Sequence, residues 1–257
     1  STLEPEIDGS ADSPVRFVRV SELGDQVFLI CESGEGRRYE IRSLESPQQM
    51  EQFSLGGKSP GVTAVARLFG GNALVVGDAS GQVSTWFLSR PADESPLTAS
   101  PVESGDGLRL SLSVDFPNDN TDAITGIAAS LRSRLFAVSD ASGRVRLMHS
   151  TTGRQLVSAA TGLPPSAAEG MQPLAIGPRE NQLLTATPSG LRAWSFAPGY
   201  PDVSLAALFG KVWYENYPEP MHAWETTGHE SFEPKYGLVP LVFGTIKATL
   251  YSMLFAV

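Results

Sequence analysis

Five residues in one stretch of the sequence have side chains that bind metal ions. They are His222, Glu225, His229, Glu230 and Glu233. Imidazole and carboxylate groups are ligands of Zn²⁺, but the spacing of these residues matches neither a closed nor a catalytic zinc site. We therefore interpret the stretch as a polar loop and assign no metal ligand. His149 stands apart from them and is expected at the surface or at the end of a strand.

Residues that could act as nucleophiles or bind phosphate lack the necessary context. The sequence has no Gly-x-Ser-x-Gly elbow and no dinucleotide-binding fingerprint. The one cysteine, Cys31, lies in the apolar run 27–31, which predicts a buried thiol in a strand. Residues 55–59 contain Gly-Lys-Ser but lack the first glycine of a P-loop, so we expect a turn there. We predict no catalytic residue, no cofactor and no enzyme activity.

Two carboxylates and four arginines recur at regular positions. Asp78 and Asp140 occupy equivalent places in a repeated turn, which favours a turn-stabilising role over acid–base catalysis. The arginines alternate along predicted strands, and such alternation is typical of a solvated face rather than of a phosphate site. They are Arg132, Arg134, Arg144 and Arg146.

The overall composition limits the possible partners and the fold class. The 257 residues include 28 Asp+Glu against 19 Lys+Arg, a formal charge of −9, which argues against a nucleic-acid partner. The many glycine and proline residues, with only 18% charged residues, favour a β-rich, turn-rich protein over a helical bundle.

The sequence from about residue 15 to residue 196 is self-similar. The block Asp-Ala-Ser-Gly-x-Val at 78–83 recurs at 140–145, and weaker copies occupy 183–194 and 27–41. In each copy a β-branched strand ends in a turn rich in Asp, Ser and Gly, and a second strand follows. The second strand ends in an aromatic residue at Trp86 and at Trp194.

The period of these copies indicates a propeller. Equivalent glycines at positions 36, 81, 143 and 190 are about 45, 62 and 47 residues apart, and the longest gap holds an insertion at 91–122 with one expected strand at 108–114. The spacing and the Gly-x-Val-x-x-Trp ending resemble the WD40 class of β-propeller, although the Gly-His and Trp-Asp pairs of that class are absent. We expect about four blades that belong to a larger propeller. An open arc would leave strand edges through which two copies could pair.

The character of the sequence changes after residue 196. Residues 197–201 predict a linker, and Asp202 or Ser204 can cap a short amphipathic helix. The helix would carry apolar residues at helical spacing. These are Leu205, Leu208, Phe209, Val212 and Trp213. The stretch 213–220 is rich in aromatic residues and proline, which is typical of the water–lipid boundary.

The last twenty residues, 238–257, are almost all apolar and carry one charge, Lys247. A run of this length predicts the start of a membrane-spanning helix that the sequence truncates; a buried C-terminal helix is the alternative. The predicted organisation is therefore a linker or disordered segment (1–14), a propeller-like domain (15–196), an amphipathic helix with a pre-membrane linker (197–237) and the beginning of a span (238–257).

The C-terminal part resembles one protein family. Residues 209–220, 232–235 and 238–251 are similar to the entry into the transmembrane core of phosphate-uptake ABC transporter permeases, in the long bacterial form of the PstC type. Members of that form carry a large propeller-like periplasmic domain between their first span and the permease core.

The resemblance implies a periplasmic domain on the bacterial inner membrane that acts as an interaction or regulatory module for phosphate import. The implied partners are the periplasmic phosphate-binding protein, a second permease subunit, the ATPase subunits through a permease core that this sequence lacks, and the membrane through the C-terminal segment. The alternative is a free-standing soluble WD40-like scaffold whose C-terminal segment folds back as a core helix. A propeller enzyme is a third hypothesis, but no charged catalytic set can be identified for it.

Overall fold

The computed structural model describes residues 14–43, 45–55, 61–90, 104–117, 121–160, 173–187, 190–226 and 233–255. Apart from Pro14, the predicted N-terminal linker lies outside the described residues. The Gly-Lys-Ser turn, His229 and Glu230 lie outside them as well.

Four antiparallel sheets follow one another along the chain, and we call them blades 1 to 4. Blades 1 to 3 have four strands each and blade 4 has three, with neighbouring strands in sequence order. Blade 1 contains β1 Val15–Val20, β2 Gln26–Cys31, β3 Glu35–Glu40 and β4 Gln48–Ser54. Blade 2 contains β5 Val62–Arg67, β6 Leu74–Asp78, β7 Val83–Ser89 and β8 Arg109–Phe116. Blade 3 contains β9 Ile124–Ala129, β10 Leu135–Asp140, β11 Arg144–His149 and β12 Arg154–Ala160. Blade 4 contains β13 Leu174–Ile176, β14 Gln182–Thr187 and β15 Gly190–Ser195.

The C-terminal part contains short elements and one longer helix. They are α1 Leu205–Phe209, β16 Trp224–Glu225, β17 Lys235–Tyr236 and α2 Val239–Phe255. Ser204 caps α1 by accepting a bond from the Ala207 amide, as expected. The predicted continuation of α1 to Trp213 is wrong, because the chain leaves the helix at Gly210 and Val212 forms a β-bridge with Met221.

Alternating side chains pack each blade against the next one along the chain. Leu74 and Val76 of β6 join an apolar cluster with Phe28 of blade 1, whereas Val75 joins a cluster with Phe136 of blade 3. This division follows from the two-residue period of a strand, which sends successive side chains to opposite faces. A third cluster lies between blades 3 and 4. The innermost strands β1, β5, β9 and β13 lie side by side in that order.

The repeated turns have the structure that the sequence predicts. Asp140 Oδ1 accepts hydrogen bonds from the amides of Ser142 and Arg144, both at 3.0 Å, and from the Ser142 hydroxyl. Gly143 has φ of 79°, a conformation that glycine adopts without strain. Asp78 makes the equivalent bonds in blade 2. The turn-stabilising role of these carboxylates is therefore confirmed, and Cys31 is buried as expected.

Replacing Asp140 by alanine should lower the free energy of unfolding by about 1–3 kcal/mol, because two turn amides and the Ser142 hydroxyl lose a charged acceptor. Urea unfolding of the whole chain measures the change. Asp140→Asn is the matched control, since it keeps the Oδ1 acceptor and should cost less. Equal losses in both variants would contradict this role.

The buried side chain of Arg38 in blade 1 binds the long insertion of blade 2. The strand expected within it is present as β8. The Arg38 guanidinium donates to both oxygens of Asp106, at 2.6 and 2.8 Å, and to Glu51 at 3.1 Å. Burial alone would raise the pKa of Asp106, but the bonds and charge of Arg38 outweigh it and lower the pKa to about 2.

This pKa gives blade 1 an acid-sensitive contact. A carboxyl group whose pKa is lower in the folded state contributes stability above its unfolded pKa of about 4 and loses it as the pH falls towards about 2. The stability difference between the natural chain and Asp106→Asn should therefore shrink between pH 4 and pH 2. Urea unfolding at several pH values measures this, and a difference that does not change with pH would contradict it.

Candidate functional site

One end of the blades is covered by the C-terminal part of the chain. The turns that join the first and second strand of each blade, at 21–25, 68–73, 130–134 and 177–181, lie at this end, and we call it the loop face. Residues of the segment 200–238 bind it over blades 2 and 3. The loop face is therefore where the chain after the propeller is positioned.

Carboxylates connect neighbouring turns of the loop face. Glu22 of blade 1 accepts hydrogen bonds from the Arg67 side chain and the Gly70 amide of blade 2, each at 2.9 Å. Glu180 of blade 4 accepts from the hydroxyls of Ser130 and Ser133 in blade 3. The turns of adjacent blades are thus tied in pairs.

Blades 2 and 3 are tied through the C-terminal segment itself. Glu215 Oε2 accepts from Arg134 Nη2 at 2.6 Å, and its Oε1 accepts from the Asn72 amide at 2.7 Å. The carboxylate lies directly against Gly71, where any Cβ would overlap it. Glu233 brings a second carboxylate, with Oε2 at 3.8 Å from Arg134 Nε. Arg134 and Glu215 are each only 7% exposed, so this is a buried charge cluster.

The cluster shifts the pKa values of its members in the directions expected for buried charges. Burial alone would lower the pKa of Arg134, but Glu233 and Glu215 outweigh it and raise that pKa. Burial raises the pKa of Glu233, although Arg134 opposes the shift. Burial also raises the pKa of Tyr214, to about 12, so its hydroxyl is neutral at physiological pH.

A small cavity adjoins the Arg134 cluster. It has a volume of about 150 Å³ and is lined in part by Phe69, Arg134 and Glu233. Arg134 at its wall is bound to Glu215, and this pairing suits a structural role.

A second contact holds the beginning of the segment on blade 3. His149 Nε2 lies 2.8 Å from Asp202 Oδ1, and the Thr152 hydroxyl donates to the Pro201 carbonyl at 3.0 Å. His149 ends β11, which is one of the two expected positions, and its side chain is fully buried rather than at the surface. The bond from His149 outweighs burial and lowers the pKa of Asp202.

Aromatic residues of the segment pack on protein. The ring of Trp213 meets that of Phe87 edge-on with centroids 5.2 Å apart, and Tyr214 is buried. The Lys235 ammonium lies 5.6 Å from the Tyr214 ring and 5.3 Å from the Tyr217 ring. The interpretation of Trp213 and Tyr214 as an aromatic belt at the lipid boundary is therefore wrong.

The predicted arginine face is only partly solvated. Arg132 and Arg144 are exposed, as expected. Arg134 is buried in the cluster above, and Arg146 is buried where it donates to the Gly81 carbonyl of blade 2 at 3.0 Å. Two of the four arginines thus bind neighbouring segments, which alternation in the sequence cannot reveal.

The two glutamates of the metal-binding stretch that the structure describes have different partners. Glu225 binds Lys235, whereas Glu233 faces Arg134. Within the described ranges, no group of three or more His, Cys, Asp and Glu side chains is arranged to hold a metal ion. Glu215, which sequence analysis did not single out, binds a residue 81 positions earlier, and no local pattern indicates such a pairing.

The helix α2 follows this covered face and has no buried residue along its 17 positions. Its large apolar side chains are exposed, including Phe243 at 67%, Leu254 at 73% and Phe255 at 89%. Of the helices in the described part of the chain, none is both long and apolar enough to cross a membrane.

Comparison with solved structures supports a fold assignment. The β-propeller domain of Cps50 (Swd1) from Myceliophthora thermophila is similar over 70% of this chain and 53% of its own length, with a TM-score of 0.51 and 14% identity. This chain has a WD40-type β-propeller fold. It spans about half the length of that domain. No protein-family model and no curated protein sequence matches the chain.

Replacing Glu215 by alanine should lower the free energy of unfolding by about 3–5 kcal/mol, because it leaves Arg134 buried with a weaker partner. Limited proteolysis should also cut the segment 200–238 faster. Glu219→Ala is the matched control, since Glu219 is exposed four residues further on. The assignment would be contradicted if the two variants were equally stable and equally resistant.

Proposed function

We propose that the chain is a periplasmic propeller domain of a bacterial phosphate ABC transporter permease and acts there as an interaction or regulatory module for phosphate import. The domain itself carries out no catalysis and is attached to the inner membrane through the segment that begins at Leu238. The observation that carries the proposal is the apolar helix α2, which follows a propeller fold and has no buried residue.

The surface of α2 is suited to lipid. A helix that is apolar all round is stable when buried in protein or in a membrane, and no residue of α2 is buried in this protein. Its 17 residues cover about 25 Å, slightly less than the roughly 30 Å of a bilayer core.

The segments that resemble the phosphate permeases support the transporter context. Residues 209–220 contain Trp213 and Glu215, which fix the chain on the loop face, and residues 238–251 contain most of α2. Resemblance therefore coincides with the parts that connect the propeller to the membrane. A rigid propeller surface next to the permease suits protein partners, above all the periplasmic phosphate-binding protein.

The alternative of a free-standing soluble scaffold requires α2 to pack into the core. No residue of α2 is buried, so this observation does not favour the scaffold. A second permease subunit and the ATPase subunits would contact the permease core and not the propeller.

The membrane attachment can be tested with the natural chain and a variant that ends at Gly237. The natural chain should float with phosphatidylcholine vesicles in a density gradient, whereas the shortened chain should stay behind and keep the same urea midpoint. Ile246→Glu should also reduce flotation, because a carboxylate in the bilayer core is unfavourable by about 2–4 kcal/mol. Lys247→Gln is its control. The attachment is refuted if the shortened chain floats equally well.

The transporter context needs a separate binding measurement. The natural chain in lipid nanodiscs should bind the periplasmic phosphate-binding protein, with affinities for its phosphate-loaded and empty forms that differ about fivefold or more. Isothermal titration calorimetry measures both. If the chain bound neither form but still bound membranes, the transporter role would be contradicted, whereas the proposed membrane attachment would still stand.

A further inference from the structure

The loop face carries several large apolar side chains that no described part of the chain covers. Leu23 is 85% exposed at the tip of the first turn of blade 1, and Leu131 is 78% exposed at the corresponding turn of blade 3. The segment that covers this face adds three more. They are Tyr200 at 85%, Leu205 at 76% and Phe209 at 56%.

The charged neighbours of these tips are occupied by other contacts. Glu22 binds Arg67, and Asp25 binds the Ser21 hydroxyl at 2.7 Å and Arg42. Leu23 therefore projects between two acids that are held by partners within the protein. The free-energy cost of removing a surface from water is smaller when its carboxylates are paired than when its charges are unpaired.

The opposite end of the blades has a different character. Its turns are the polar Asp78 and Asp140 turns, whose side chains bind their own backbone. Val15 and Leu191 are exposed apolar residues near this end, but both lie on strands, where Val15 pairs with Cys31 and Leu191 pairs with Ala186. Among the turns that the structure describes, the exposed apolar tips thus lie at the loop face.

The helix α2 leaves from the same loop face. The Leu238 amide donates to the Leu208 carbonyl at 2.7 Å, so the first residue before α2 is bonded to α1. Leu205 and Phe209 are the exposed residues at the two ends of α1. The start of α2 and the apolar part of α1 are therefore adjacent.

We infer that the loop face rests on the surface of the lipid bilayer, with Leu23 and Leu131 at the boundary between head groups and acyl chains. This inference depends on the proposed attachment of α2 to the membrane. The apolar residues sit on separate turn tips rather than in one groove, a pattern that suits a planar surface better than a peptide. Exposed Arg132 and Lys211 are near Leu131 and Phe209 in sequence and place positive charge close to the apolar tips.

Site-directed fluorescence in vesicles tests the orientation. Single cysteines replace Leu23, Leu131 or Leu191 in a full chain that carries Cys31→Ala, and each is labelled with an environment-sensitive dye. The chains are bound to phosphatidylcholine vesicles with and without lipids that carry a nitroxide quencher at the top of the acyl chain. Quenching at positions 23 and 131 should be at least about threefold stronger than at position 191, because quenching requires contact with the lipid boundary.

A fourth label, at Leu250 in α2, separates the two proposals. If the label at position 250 is quenched and the labels at positions 23 and 131 are not, the inferred orientation is overturned but the proposed membrane attachment of α2 still stands. No quenching at 250 would overturn the anchor and the orientation with it. Urea midpoints equal to that of the unlabelled chain show that the variants are folded, since the four side chains are exposed. Equal quenching at 191 and 23 would also overturn the orientation.

Discussion

Arg134 carries a positive charge into the space between the loop face and the C-terminal segment. A buried charge is stable only when carboxylates and hydrogen-bond acceptors replace the water it loses. Glu215 and Glu233 supply these carboxylates, and both belong to the segment and not to the blades. The propeller and the chain that follows it therefore depend on each other, because neither side satisfies its buried charges alone.

This dependence fixes the position of the C-terminal segment on the propeller. The propeller consists of blades joined by apolar clusters, and carboxylates tie their turns together at one end. Arg134 fixes the segment on that end, and the Leu238 amide fixes the start of α2 beside α1. The Gly237 amide also donates to the Ala223 carbonyl at 2.8 Å, so the chain just before α2 is bonded to the segment on the loop face. If α2 enters a membrane as proposed, these contacts set the orientation of the propeller relative to the bilayer.

The sequence was informative where structure depends on near neighbours. The strands of the repeats, the turn role of Asp140 and the burial of Cys31 follow from alternation and from residues two to four positions apart. The sequence was misleading where distant segments meet. His149 is buried because Asp202 reaches it, and Trp213 packs on Phe87 instead of continuing α1. The pairing of Arg134 with Glu215 could not be predicted, because each residue also fits a solvated position.

The decisive measurement is amide hydrogen exchange of the natural chain with and without phosphatidylcholine vesicles. It shows whether α2 binds lipid while the propeller and the segment on its loop face are already folded. Amides of the blades and of the segment near Glu215 should exchange slowly in both conditions. Amides of α2 should exchange rapidly in water, where no other element covers the helix, and at least about a hundredfold more slowly with vesicles. Slow exchange of α2 in water, unchanged by lipid, would show that the helix is covered by protein and would contradict the account.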